Sequence, residues 1–402
     1  MPVLLDLTHT SHTRARTGIQ RVTRSLHATL GPDAVAITHD PHSRTWRPLE
    51  PWETAHLALE STAKKRGATW PLSAQLRGRL RRLLRPASSP SLSPRLSALL
   101  PSSGLLVPEV FSAQTAAALP ALFAAAAGPR VAVFHDAIAL KFPELTPPKT
   151  VARFPAYLVE LLAFDGIAAN SEDSRDTLRD YWRWLGVAHP PPVEAIPLGV
   201  DLPPSASVSD PQRSALNAQR LPTVLSVGSL EGRKNHLALL EACEHLWSTG
   251  ARFELRLIGL AQPQTGRDAL ARLRTLQAAG RPLHYDGPAT DAALAAAYAA
   301  CAFTVYPSLI EGFGLPVIES LAHGKPCVCS ARGALGESAR GGGCLALASV
   351  DAPSLAAAVG RLLAAPAELA SLAAAARARR FRTWPDYAAA LTAWMRTVPR
   401  RN

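Results

Sequence analysis

The stretch Glu311-Gly-Phe-Gly-Leu-Pro-Val-Ile-Glu319 decides the fold class. It follows the apolar run Phe303-Thr-Val-Tyr306, which is typical of a buried parallel strand, and it leads into a helix that ends before Gly324. The two glycines let the backbone approach a ligand closely, and the start of the helix offers N–H groups to an anion. Because a phosphate suits the helix start and carboxylates suit hydroxyl groups, the stretch predicts a site for a sugar nucleotide.

A second candidate loop is Gly228-Ser-Leu-Glu-Gly-Arg-Lys-Asn235, between the predicted strand Thr223–Val227 and a helix. It places Arg233 and Lys234 beyond the carboxyl end of a strand, where doubly wound sheets bind ligands. Arginine can bind two oxygens at once and lysine acts as a point charge, so the pair could hold a diphosphate. The alternative is a solvated turn, which the presence of two such loops in one predicted sheet disfavours.

Apolar runs alternate with helical patterns along both halves of the chain, which predicts an α/β protein with doubly wound parallel sheets. Residues 40–105 interrupt this pattern. Residues 203–221 are polar and rich in Ser and Pro, so we expect a domain linker there. The predicted strands are Val3–Leu7, Val131–Phe134, Gly166–Ala169, Thr223–Val227, Glu254–Ile258, Leu283–Tyr285, Phe303–Tyr306 and Pro326–Ser330.

Composition narrows the class further. The 402 residues are 48% hydrophobic and 18% charged, enough for two or three domains with real cores. None of the five cysteines forms a C-x-x-C pair, which predicts a reducing cytosol and no zinc site. The run Met1–Asp6 has no basic leader and reads as a strand rather than a signal peptide, and no apolar run reaches the length of a membrane span.

The net charge of +12 is concentrated in one region: nine basic and no acidic residues lie between Lys64 and Arg95. Leucines and arginines alternate at helical spacing over residues 72–85, which predicts a basic amphipathic helix. It could lie on an anionic membrane, or pack on its own domain with a solvated arginine face. Nucleic acid is not expected as a partner, because no aromatic residues stand between the basic ones to stack on bases.

The two loops, in this order, resemble those of glycosyltransferase family 4, the group 1 glycosyl transferases, which have the GT-B fold of two facing Rossmann-like domains. Other segments resemble the family's first loop and helix, its His-Asp strand end, the close of its first domain and its C-terminal element. They are Thr17-Gly-Ile-Gln-Arg-Val22, Phe134-His-Asp136, Ala169-Asn-Ser171, Ile196-Pro-Leu-Gly-Val-Asp201 and Phe381-Arg-Thr-Trp384.

The resemblance implies the role of each catalytic residue. Glu311 would lie by the hydroxyls of the donor sugar, and we expect this loop carboxylate to have little packing role. Arg233 and Lys234 would neutralise the departing diphosphate. His135 would reach the sugar from the other domain.

The resemblance also implies how the donor is bound. Glu319 would hydrogen-bond the ribose, while glycines and backbone N–H groups would approach the sugar and the diphosphate. These further donor-binding residues are Gly18, Gly228, Phe313, Gly314 and Leu315.

From the same resemblance we expect residues 1–202 to form the acceptor-side domain and 222–380 the nucleotide-sugar domain, with 381–402 a helix returning to the first. The family retains anomeric configuration and needs no metal, and this chain has no Asp-x-Asp triplet. The expected activity is hexose transfer, with a weak preference for mannose, from a GDP- or UDP-sugar, without a cofactor.

The expected acceptor is a glycan or lipid-linked glycan of bacterial surface polysaccharide such as lipopolysaccharide. We expect a cytoplasmic protein, peripheral on the inner face of the membrane if residues 72–85 bind it. Two alternatives stay open: another GT-B enzyme, such as a sugar-nucleotide epimerase or a phosphorylase, and a catalytically degenerate GT-B scaffold of a polysaccharide complex. The intact loop residues argue against both.

Overall fold

The structure is a computed structural model that describes residues 2–13, 18–58, 68–84, 91–100, 103–203 and 221–401. The chain divides into two compact units. The first comprises Met1–Leu140, Lys149–Leu198 and Trp384–Asn402, and the second comprises Lys141–Pro148 and Gly199–Thr383. Most of the predicted linker, residues 204–220, lies outside the described residues, as does Thr17 of the predicted first loop.

The first unit is built on an eight-stranded sheet in the order β4-β3-β2-β1-β5-β6-β7-β8. All neighbours are parallel except β2 and β3, which form an antiparallel pair. The region 40–105, which interrupts the sequence pattern, contains two of these strands, β3 and β4. In chain order, β1 to β8 are Val3–Asp6, Ala34–Asp40, Thr45–Pro48, Ser91–Leu92, Gly104–Val107, Arg130–Phe134, Gly166–Ala169 and Val193–Ala195.

Helices cover this sheet around one apolar core that includes Leu4, Val107, Phe134 and Ile167 from four of its strands. The helices are Gly18–Leu30, Pro51–Ala58, Leu72–Leu84, Pro94–Leu99, Ala113–Ala125, Ile138–Lys141, Pro148–Glu160, Glu172–Trp184 and Trp384–Thr397.

The C-terminal helix Trp384–Thr397 belongs to the first unit, where it packs on Gly18–Leu30. The close approach of its Trp394 ring requires a glycine at position 166, because a Cβ there would lie 2.9 Å from the ring. Beyond the helix, the backbone N–H of Arg401 donates to the buried Asp165 carboxylate at 2.7 Å. These contacts hold the end of the chain on the edge of the first sheet.

The second unit has a six-stranded, fully parallel sheet in the order β11-β10-β9-β12-β13-β14. In chain order, β9 to β14 are Thr223–Val227, Glu254–Ile258, Leu283–Tyr285, Phe303–Tyr306, Cys327–Ser330 and Cys344–Leu347. The helices of this unit are His236–Ser248, Arg267–Ala278, Asp291–Ala300, Leu315–Ala322, Gly333–Ala339, Ala352–Ala364 and Pro366–Ala378. The order reverses between β9 and β12, the position at which doubly wound sheets bind ligands.

Among the described residues, no single helix is both long and apolar enough to cross a membrane; one pair, Ala352–Ala364 with Pro366–Ala378, meets that criterion only jointly and is bent by 97°.

Candidate functional site

The two loops singled out by the sequence follow β9 and β12, the neighbouring strands at which the sheet order reverses. Because both strands run parallel, their carboxyl ends bring the loops together at one edge of the sheet. The backbone joins them directly: the N–H of Leu309 donates to the carbonyl of Arg233 at 2.9 Å. The sheet therefore positions the charged residues of both loops.

Arg233, Lys234 and Glu311 form a buried ionic group, here called the Arg–Lys–Glu cluster. The Arg233 guanidinium donates to one oxygen of Glu311 at 2.9 Å, and the Lys234 ammonium donates to the other at 2.5 Å. Lys234 also donates to the hydroxyl of Tyr306, and its nitrogen lies 4.7 Å from the centre of that ring. The structure thus brings together three residues predicted separately from two loops.

The charges in this cluster support one another. Burial disfavours ionisation of Glu311, but Arg233 and Lys234 outweigh it and lower the pKa of its carboxyl from 4.5 to about 2. Burial also lowers the pKa of Lys234, an effect opposed by Glu311. Glu231 lies 2.7 Å from Arg233 and supplies a second negative charge.

The expectation that Glu311 has little packing role is wrong. Its side chain is 10% exposed, and besides both cations it accepts a hydrogen bond from the Ser308 hydroxyl at 2.7 Å. The sequence showed the residue in a loop, but not that the neighbouring loop brings two cations against it. Glu311 is therefore both a candidate sugar contact and the counter-charge that holds Arg233 and Lys234 in place.

The helix Leu315–Ala322 starts directly behind this cluster, with Gly314 as its first flanking residue. Gly314 has a φ of +97°, and a Cβ there would lie 2.9 Å from the Leu335 side chain, so the position requires glycine. The carbonyl of Phe313 accepts a hydrogen bond from Ser338 on the helix Gly333–Ala339. The helix Gly333–Ala339 thus fixes the loop that contains the predicted backbone donors Phe313 and Gly314.

Glu319 lies on the same helix, eight positions beyond Glu311, and is buried. Its carboxylate accepts a hydrogen bond from the hydroxyl of Tyr298 at 3.1 Å, and the Tyr298 ring stacks on His323. The sequence did not single out Tyr298, which belongs to the helix Asp291–Ala300. Its distance of 21 residues along the chain left no local signal for the contact.

Gly228 follows β9 and packs against the neighbouring loop. A Cβ on Gly259 would lie 1.9 Å from the carbonyl oxygen of Gly228, so position 259 requires glycine. The absence of a side chain at Gly259 lets the end of β10 approach the start of the loop Gly228–Asn235.

In the first unit, His135 follows β6 and is buried. The amide of Asn170 lies 3.0 Å from its Nδ1, which accepts that hydrogen bond, so Nε2–H donates to the carbonyl of Pro108 at 2.7 Å. Burial lowers the pKa of His135, which keeps the ring neutral. Both ring nitrogens are engaged within the domain, and the sugar contact stays a prediction.

Gly18, the remaining predicted site residue in the first unit, begins the helix Gly18–Leu30, and a Cβ there would meet no atom within 4 Å. Its role in donor binding also stays a prediction.

The sequence missed Glu109 in the first unit. Glu109 follows β5 and accepts hydrogen bonds from the backbone N–H groups of His9 and Thr10, each at 2.8 Å, in the loop after β1. Burial, with the nearby Asp6, raises the pKa of Glu109 to about 8. A carboxylate two residues beyond the apolar run Gly104–Val107 was the available signal. Glu109 joins the two loops at the point where the order of the first sheet reverses.

Within the described residues, no group of three or more His, Cys, Asp or Glu side chains is placed to hold a metal ion.

Comparison with known proteins agrees with this geometry. Residues 221–365 match the family model described as glycosyl transferases group 1. The chain is 26% identical over 344 residues to the serotype-specific mannosyltransferase WbdA of Escherichia coli, covering 81% of this chain and 38% of that protein. It is 38% identical over 107 residues to the O-antigen chain mannosyltransferase B of Escherichia coli, covering 26% of this chain and 28% of that protein. The chain therefore spans well under half the length of these two relatives.

Among solved structures, Anabaena Alr3699/HepE in complex with UDP and glucose aligns with a TM-score of 0.68 at 15% identity, over 99% of this chain and 100% of that one. Two parallel-sheet α/β units and this likeness over the whole chain define the GT-B fold of glycosyltransferases. The match of residues 221–365 to the glycosyl transferases group 1 model confirms the resemblance drawn from the motifs over that segment.

Proposed function

We propose that this protein is a retaining, metal-independent glycosyltransferase that moves a hexose from a nucleotide diphosphate sugar to a hydroxyl of a glycan or lipid-linked glycan. The acceptor belongs to bacterial surface polysaccharide, such as lipopolysaccharide, and the reaction takes place at the cytoplasmic face of the membrane. The Arg–Lys–Glu cluster is the main support for this proposal. It places two cations where the order of the second sheet reverses, next to the N-terminus of the helix Leu315–Ala322.

The chemistry follows from where charge develops. The bond between the anomeric carbon and the β-phosphate oxygen breaks, and its electron pair stays on the phosphate. The acceptor oxygen bonds to the same face of the anomeric carbon, and its proton passes to the departing phosphate. Arg233, Lys234 and the N–H groups at the start of Leu315–Ala322 are fixed before the reaction, so they can stabilise the growing charge without reorganising.

Glu311 and Glu319 divide the remaining work. Glu311 keeps its negative charge because both cations lower its pKa, so it can accept hydrogen bonds from sugar hydroxyls while it positions Lys234. Glu319 lies about one turn into the helix Leu315–Ala322, in a buried environment shared with Tyr298, which suits a ribose contact away from the reacting bond.

The donor we propose is GDP-mannose. Support comes from the names of the two relatives, both mannosyltransferases. UDP-glucose is the competing donor, because the matched solved structure contains UDP and glucose.

A donor panel tests this function. The purified chain is incubated with GDP-mannose, UDP-glucose, UDP-N-acetylglucosamine or ADP-glucose and a lipid-linked glycan fraction, with and without EDTA. We expect transfer from GDP-mannose, undiminished by EDTA, with NMR showing the α anomer in the product. A β-linked product would contradict retention, and activity lost in EDTA but restored by Mg²⁺ or Mn²⁺ would contradict metal independence. No transfer or hydrolysis with any donor would favour the degenerate scaffold.

A further inference from the structure

The helix Leu72–Leu84 presents its apolar face to solvent. Leu72, Leu76, Leu80 and Leu83 are 76%, 64%, 56% and 77% exposed, although leucine is ordinarily among the more buried residues. At about 100° per residue, these four side chains fall within an arc of about 80° on the helix surface. They form a continuous stripe, here called the leucine stripe.

The opposite side of the same helix packs on the first unit. Ala74 and Gly78 are its buried positions, and they lie about 180° from the centre of the leucine stripe. The approach is close, because a Cβ on Gly78 would lie 2.6 Å from the Cβ of His42. An amphipathic helix of a globular domain normally turns its leucines inward. Here small residues face inward and the leucines face outward.

Arginines border the leucine stripe on both sides. Arg79 and Arg82 lie along one side and Arg77 along the other, as their spacing from the leucines requires. Arg81 projects close to the direction of Ala74, towards the domain. Arg77 donates to Glu50 at 2.9 Å and Arg81 lies 3.8 Å from the same carboxylate, so the second side also ties the helix to its domain. Glu50 thus offsets part of the charge of Arg77 and Arg81, and the sequence between Lys64 and Arg95 itself contains no acidic residue.

From this arrangement we propose that the helix Leu72–Leu84 is a docking surface for an anionic lipid bilayer. The leucine stripe enters the boundary between headgroups and acyl chains while the bordering arginines bind lipid phosphates, the arrangement that interfacial helices use. Charge complementarity selects this occupant, because a basic border around an apolar stripe matches an anionic headgroup layer above hydrocarbon. A second copy of this chain would set arginine border against arginine border. The packing of Ala74 and Gly78 holds the surface ready before contact.

Vesicle sedimentation with the full chain tests the proposal without needing transfer activity, so it stands or falls apart from the proposed reaction. The wild type should bind vesicles of equal phosphatidylglycerol and phosphatidylcholine, and bind pure phosphatidylcholine vesicles at least tenfold more weakly. Leu76→Ser/Leu80→Ser and Arg79→Glu/Arg82→Glu should each weaken binding to the anionic vesicles at least tenfold, since each arginine contributes about fivefold near such a surface. Both pairs are exposed, so unchanged thermal unfolding should verify the fold.

Two control variants distinguish binding through this helix from nonspecific hydrophobic binding and from the effect of net charge. Trp184→Ser/Leu185→Ser removes exposed apolar side chains elsewhere on the first unit, and Arg183→Glu/Arg252→Glu changes the net charge by the same amount. Both should bind like the wild type. Equal vesicle binding by the helix variants and the wild type would overturn the proposal. So would sedimentation velocity without lipid showing a wild-type dimer that Leu76→Ser/Leu80→Ser abolishes while vesicle binding persists.

Discussion

Glu311 combines a proposed contact with the donor sugar and an observed position as the counter-charge of two cations. The sequence motif marks it as a carboxylate near a sugar, whereas the structure shows a buried anion that balances Arg233 and Lys234. Removing it would take from Lys234 the carboxylate that lies 2.5 Å away and from Arg233 one of its two neighbouring carboxylates. Stability and activity are therefore coupled at this position.

We expect Glu311→Ala to lower the free energy of unfolding by about 3–5 kcal/mol, the usual cost of breaking a buried ion pair. Glu311→Gln, which keeps the shape and one acceptor oxygen, should cost less. Urea unfolding at pH 7 measures both. Glu241→Ala, which breaks a surface pair with Arg272, is the control and should cost about 1 kcal/mol or less. Equal stability of Glu311→Ala and the wild type would show that the cluster does not form.

Glu109 gives the first unit a distinct pH dependence. Burial raises its pKa from 4.5 to about 8, so the folded chain keeps a proton that the unfolded chain releases above pH 4.5. The stabilisation is complete below pH 4.5 and is lost as pH rises through about 8. Asp6 behaves similarly but only to about pH 6. Between pH 6 and 8 the Glu109 effect is opposed by histidines of the first unit whose pKa burial lowers, His39 to about 4 among them, because these histidines bind protons near pH 6.5 in the unfolded chain. The comparison of wild type with a Glu109 variant therefore isolates the contribution of Glu109.

Glu109→Gln should reduce the fall in melting temperature of the first unit between pH 6 and 8 relative to the wild type, because glutamine cannot release the proton. Scanning calorimetry at both pH values measures this. The exposed control Glu241→Gln should keep the wild-type dependence. The same pH dependence of the melting temperature in Glu109→Gln and in the wild type would rule out the raised pKa.

The helix Leu315–Ala322 offers its N–H groups only if the loop before it keeps its course. Gly314 sets that course with a φ of +97° and by its contact with Leu335. Gly314→Ala should cost about 1–2 kcal/mol of backbone strain and weaken GDP binding at least tenfold, measured by calorimetric titration. Gly186→Ala is a matched control, because its φ is +72° with no atom within 4 Å. It should carry a similar strain and leave GDP binding unchanged. Equal GDP affinities of Gly314→Ala and the wild type would contradict this role.

The local spacing of apolar residues and glycines was enough to predict the strands with a regular apolar pattern and the loops that contain glycine. The loops after β9 and β12 were found this way, because their residues signal a strand end and a helix start without any distant partner. The hairpin of β2 and β3 was missed: β3 has only four residues, Thr45–Pro48, and its charged and proline residues do not follow an apolar pattern. Local spacing also could not show the contacts of Glu109 and Tyr298, whose partners lie far along the chain.

The direction of the helix Leu72–Leu84 was the other point that sequence left open. Its composition allowed a membrane surface or packing on its own domain, and periodicity alone cannot say which side faces inward. The structure places Ala74 and Gly78 inward and the leucines outward. Glycine at position 78 allows this side of the helix to approach His42 closely.

The chain combines two α/β units. In the second unit, Arg233, Lys234 and Glu311 meet at the carboxyl end of the sheet, where the proposed glycosyl transfer needs charged groups. We propose that Arg233 and Lys234 stabilise the charge that grows on the departing phosphate, in addition to holding Glu311 and the two loops in place. In that case they matter more in the transition state than in the bound ground state.

Single-turnover transfer from saturating GDP-mannose is the most direct measurement of this claim. Arg233→Ala and Lys234→Ala should each lower the rate by about a hundred- to a thousand-fold, equivalent to about 2.7–4 kcal/mol. The double variant should lose less than the sum of both, because the two cations act on one diphosphate. The surface control Arg272→Ala should react like the wild type. Rates within a few-fold of the wild type in both single variants, with the fold intact, would contradict the claim.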